Sequence, residues 1–150
     1  MANYYSCSRT NYFRVTNEEK YKALFDNLVG GEDEVHDFSR EEDGVTYHAF
    51  GTYGSVDYIV PPNNSDDSNN TDDYDYDYNF DLFLEELQKI LPDDEAFICM
   101  ESGHENLRYI TGLLVIVTNT KIEYMDIRGE ALRRAREILN NPAFDSKLEY

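Results

Sequence analysis

The chain has 150 residues, 41% of them hydrophobic and 14% aromatic. That is too apolar for a disordered chain and enough for a single domain burying about two thirds of its unfolded surface. Thirty-one acids against 13 bases leave a formal charge of −18, which argues against binding nucleic acid or an anionic membrane surface and for a basic protein as partner.

The first apolar stretch, Thr10-Asn11-Tyr12-Phe13-Arg14-Val15, is aromatic and β-branched and predicts a strand. Thr16-Asn17-Glu18-Glu19 has the form of a capping box. Tyr21, Leu24, Phe25 and Leu28 follow at helical spacing up to Gly30-Gly31, predicting a helix over 17–29. Three short strands are expected at 34–38, 45–52 and 55–60, with turns at Glu42-Asp43-Gly44 and Tyr53-Gly54. Pro61 to Thr71 is polar and turn-rich, and with the acidic run behind it gives an expected flexible acidic insertion at about 61–79.

Asn79 or Asp81 can cap a helix whose Phe83, Leu84, Leu87 and Ile90 or Leu91 form the buried stripe, stopped by Pro92. Strands are expected at 96–100, 109–118 and 122–125. A last helix, 126–140, should turn Ala131, Leu132, Ala135, Ile138 and Leu139 inward and end at Asn141-Pro142. The expected fold is α+β: a single domain over 1–150, one mostly antiparallel β-sheet packed with about three α-helices.

The charge is not spread evenly, because residues 32–101 hold 21 of the acids and two of the bases. At their centre acid and aromatic alternate: Asp72, Asp73, Tyr74, Asp75, Tyr76, Asp77, Tyr78. In an extended chain Asp73, Asp75 and Asp77 share one face at about 6.6 Å steps, and the tyrosines share the other. Such a row imitates the phosphates of a nucleic-acid strand. With Asp81, Glu85 and Glu86 on the following helix, these residues are the candidate partner-binding surface.

Other chemistry finds less support. Cys7 and Cys99 are far apart and read as ordinary thiols, and His36, His48 and His104 stand outside any metal or triad motif. No nucleophile elbow, Walker loop or dinucleotide fingerprint occurs, so no catalytic residues and no cofactor are assigned. Acid pairs such as Glu101 with Asp126 are expected by chance at this acid content. The order Asp75, Asp77, Asn79, Asp81, Glu86 copies the oxygen ligands of an EF-hand loop, but Phe80 stands where that loop needs glycine. Arg133, Arg134 and Arg136 interleave with Glu130 and Glu137, as on a solvated helix face. No apolar run is long enough to span a membrane, and the first residues lack the pattern of a signal peptide.

Asn3-Tyr4-Tyr5 with Arg9 to Val15, and Leu91 to Ala96 leading to Glu101 and Glu105 to Tyr109, resemble small acidic proteins of phages and conjugative elements. The resemblance covers about a third of the chain. Anti-CRISPR and antirestriction proteins travel in the same context and are frequently acidic DNA mimics. The resemblance implies a mobile-element context, not a mechanism. It agrees with the charge pattern, and together they lead to the expectation of a non-enzymatic inhibitor in the cytoplasm of a bacterial host, blocking the nucleic-acid groove of a CRISPR effector or other defence nuclease. Two other readings stay open: an accessory interaction protein with a merely solubilising acidic loop, and a weak divalent-metal binder.

Overall fold

Tyr5–Thr10 alternates its side chains between two faces and forms β1, a strand in the middle of the sheet. The computed structural model describes residues 4–62, 76–106 and 109–146; of the expected acidic insertion, residues 63–75 lie outside the described residues. β1 lies five residues earlier than the strand expected at 10–15. Its inward positions, Ser8 and Thr10, are polar, so hydropathy did not mark it. They are tolerated because each is paired: the Ser8 hydroxyl donates to the Gly54 carbonyl at 2.8 Å, and Thr10 Oγ1 accepts from the Phe50 N–H at 2.9 Å.

Helix α1 (Glu18–Phe25) is capped by Asn17, whose side chain accepts from the Lys20 N–H. It stops four residues short of the expected end, and Leu28–Gly30 forms β2 instead. The elements that follow are β3 (His36–Asp37), β4 (Arg40–Glu42), β5 (Val45–Tyr47), β6 (Phe50–Tyr53) and β7 (Val56–Tyr58). The single strand expected over 45–52 is therefore two, broken at His48-Ala49. Asp43 and Gly44 both have positive φ, 52° and 77°, as a two-residue hairpin between β4 and β5 requires. Helix α2 (Phe80–Gln88) is capped by Asn79, which settles the choice between Asn79 and Asp81.

β8 (Phe97–Glu105), β9 (Tyr109–Val117) and β10 (Ile122–Asp126) complete the main sheet, and α3 (Ile127–Leu139) follows directly, capped by Asp126. The sheet has six strands in the order β10-β9-β8-β1-β6-β3, every neighbouring pair antiparallel; β2 pairs with β7 and β4 with β5 in two small ribbons. The architecture is α+β, as the sequence leads one to expect.

Register fixes what faces inward. Phe97 lies opposite Val117 and Cys99 opposite Val115, and all four are buried with Phe13, Phe50, Leu24 and the Phe83, Leu84 and Leu87 stripe of α2. Four phenylalanines, Phe13, Phe50, Phe83 and Phe97, are fully buried and meet mostly edge to face, the closest pair being Phe13 and Phe97 at 5.0 Å between centroids. Tyr21 enters the same cluster, but its buried hydroxyl has no hydrogen-bond partner among the described residues, and burial raises its pKa. An unpaired buried hydroxyl costs about 1–3 kcal/mol. Tyr21→Phe is therefore expected to be neutral or to stabilise by up to about 1 kcal/mol. The check is a denaturant midpoint that rises or holds at unchanged slope; a fall would show that the hydroxyl has a partner.

The last helix corrects the sequence reading. None of its residues is buried, and Ile138 is 73% exposed and Leu139 55%. α3 begins where the edge strand β10 ends and packs mainly against β9 and β10, with Ile127 lying over Gly112. Much of the inner face of the sheet is already covered by the cluster around α1 and α2. Periodicity reports a helix with an apolar stripe, not whether anything covers it.

Candidate functional site

The described end of the acidic segment is extended and docked beside β7. The Val60 N–H donates to the Asp77 carbonyl at 2.9 Å, the Asn79 N–H to the Tyr58 carbonyl at 2.8 Å, and Tyr78 bridges Ile59. In that conformation neighbouring side chains alternate sides. Tyr76 and Tyr78 lie with ring centroids 6.5 Å apart and are each more than half exposed, and Asp77 between them is exposed too. Asp72, Asp73, Tyr74 and Asp75, the rest of the candidate row, lie outside the described residues.

Asn79 then starts α2 and carries the remaining carboxylates onto a helix surface. Asp81 and Glu85 are exposed, one turn apart. Asp81 accepts a hydrogen bond from the Tyr124 hydroxyl of β10. Burial, then Asp81 and the charges of Asp81 and Glu85, raise the Tyr124 pKa, so the phenol keeps the proton it donates. Helix α2 and the sheet edge are thereby joined.

Glu86 differs from its neighbours. Its carboxylate pairs with Lys89 one turn on and with Lys20 of α1 at 3.0 Å. Of the six candidate residues that are described it alone is in ion pairs, and it ties α1 to α2. The hydrogen bonds from Lys89 and then Lys20 lower its pKa. A carboxyl whose folded pKa lies below the unfolded value of about 4.3 contributes stability that is present above that pH and is lost as pH falls through the folded pKa. Glu86→Gln is expected to cost about 1 kcal/mol at pH 7, roughly 2–4 °C in Tm, with the deficit shrinking as the pH falls below about 4.3. Thermal melts of both proteins across pH 3–7 check it; a deficit that does not change with pH would contradict the ion-pair assignment.

The EF-hand-like order does not produce an EF-hand loop. Phe80 begins α2 where the glycine turn would be, and the Asn79 side chain is committed to the Leu82 N–H. No group of three His, Cys, Asp or Glu suited to a metal ion occurs among the described residues. Arg133 pairs with Glu130 and Glu137 on its own helix, and Arg134 with Glu137 at 2.8 Å.

One constellation was not legible in the sequence. His48 Nε2 lies 2.8 Å from Glu18 Oε2, and His48 Nδ1 lies 3.4 Å from Ser39 Oγ. Hydroxyl, imidazole and carboxylate stand in the order of a nucleophile relay. The ring, however, is buried against Tyr21, 4.0 Å between centroids, and against Phe13, and Ser39 Oγ also accepts from the Ala49 N–H at 3.3 Å. Its evident work is to tie the first turn of α1 to the break between β5 and β6.

No helix among the described residues is long and apolar enough to cross a membrane. Comparison with known proteins returns nothing: no family model, no curated protein and no solved structure matches this chain.

Proposed function

We propose that the chain is an inhibitor that occupies the nucleic-acid groove of a basic protein, presenting carboxylates where phosphates would lie. By the resemblance noted above, the target is a CRISPR effector or another bacterial defence nuclease. The observation that carries this reading is the segment around Asp77. It is extended, its aspartate and tyrosines are exposed, and it leads directly into exposed Asp81 and Glu85. Carboxylates supply long-range attraction, which speeds encounter and falls with salt, and the tyrosines supply contact area at low conformational cost.

The experiment is capture from bacterial lysate on immobilised protein at low and at high salt. Retention of a nucleic-acid-handling protein that salt releases supports mimicry and identifies the target. Partners that are acidic, or held equally at high salt, would overturn it.

A further inference from the structure

Beside the acidic segment, the inner face of the sheet is left partly open. A hollow of about 370 Å³ lies over the middle of β8 and β9 and the end of β10, lined also by Val56 and Phe80. Its floor follows from register. Cys99, Val115 and Tyr124 stand opposite one another across the three strands, and Glu101, Leu113 and Asp126 form the next row. Two carboxylates thus flank an apolar centre across the sheet. With strands about 4.8 Å apart, their Cα atoms are separated by about 10 Å.

The lining contains no lysine, arginine or histidine. Burial, with the Glu101 charge adding to it, pushes the Cys99 thiol up to about 12, so that wall is neutral at pH 7. Each carboxylate has one oxygen engaged: Glu101 Oε1 accepts from the Ser55 hydroxyl at 2.8 Å, and Asp126 Oδ1 accepts from the Arg128 and Gly129 N–H groups at 3.0 and 2.9 Å. Among the described residues neither Glu101 Oε2 nor Asp126 Oδ2 takes a hydrogen bond, the latter lying beside Gly129 in the first turn of α3. At about 30 Å³ per water-sized volume, the hollow takes a ligand of up to about a dozen heavy atoms.

We infer that this hollow binds a short aliphatic diamine, its hydrocarbon chain over Leu113 and Val115 and its two ammonium groups at Glu101 and Asp126. Seven bonds of an extended chain span about 9 Å, so a spacer near six carbons is comparable with the separation of about 10 Å between the two Cα atoms. The site is independent of the groove-blocking reading, and neither stands or falls with the other.

The test is an amide NMR titration of the full chain with 1,6-diaminohexane, hexylamine and 1,6-hexanediol. The expected result is saturable shifts confined to residues 97–101, 113–117 and 122–126, with the diamine binding about three- to fivefold more tightly than the monoamine and the diol weakest. Glu101→Gln and Asp126→Asn should each erase the advantage of the diamine over hexylamine. Asparagine is itself a good N-cap, so unshifted α3 amides in Asp126→Asn would show that the helix is intact. Shifts spread over the acidic surface, diol binding equal to diamine binding, or an advantage retained in both variants would overturn the assignment.

Discussion

Phe83→Ala is expected to cost about 3–5 kcal/mol, which for a chain of this size lowers Tm by about 6–20 °C. Phe83 is fully buried and sits among four other rings: Phe80, stacked at 5.5 Å, Tyr58 at 5.8 Å, Phe50 at 6.1 Å and Phe97 at 6.2 Å between centroids. Truncation removes the transfer energy of the ring and leaves a cavity between the sheet and α2 that aromatic neighbours cannot easily collapse to fill. Whole domains are stable by only about 5–15 kcal/mol, so this one side chain decides a large fraction of the total. It also positions the acidic surface, because α2 carries Phe83 inward and Asp81 and Glu85 outward. Calorimetry on the variant checks the figure; a loss below about 1 kcal/mol would mean that α2 is not packed as described.

The second large effect concerns binding, not stability. Asp77→Asn, Asp81→Asn and Glu85→Gln together are expected to weaken partner binding at least about tenfold at low salt, chiefly by slowing association. All three residues are exposed, and asparagine at 81 can still accept from the Tyr124 hydroxyl, so the melting curve should barely move. Asp73→Asn and Asp75→Asn with Asp77→Asn should abolish binding if the alternating row is the phosphate mimic. The two triple variants share Asp77 only, which separates the row from the helix. Stopped-flow association across a salt series reads the result: the slope of log rate against log salt should flatten as carboxylates are removed. An unchanged slope with unchanged affinity would take these residues out of the mechanism.

Parts of this structure were legible in the sequence because the deciding interactions are local. The α2 cap, which the sequence narrows to Asn79 or Asp81, and the Phe83, Leu84, Leu87 stripe lie within one helix, and the Asp43-Gly44 turn lies within one hairpin. The sequence places the first strand too late because the inward residues of β1 are Ser8 and Thr10, made acceptable by partners 40 or more residues away. α3 was seen as a helix, but its apolar stripe was assigned to a core that its position at the sheet edge does not supply. The candidate site divides in the same way. Alternation of Asp and Tyr can be read from a seven-residue window. That Glu86 is engaged by Lys20, or that Glu101, Leu113 and Asp126 align across three strands, depends on packing and register that no local window contains.

The measurement that bears most directly on groove blocking is a competition assay. The protein captured from lysate is loaded with its labelled nucleic acid, and this chain is titrated in. Displacement of the nucleic acid, with an apparent affinity that weakens in proportion to nucleic-acid concentration and is lost in the Asp73, Asp75, Asp77 triple variant, is the expected result. A stable ternary complex of target, nucleic acid and this chain would contradict it, because two occupants cannot share one groove.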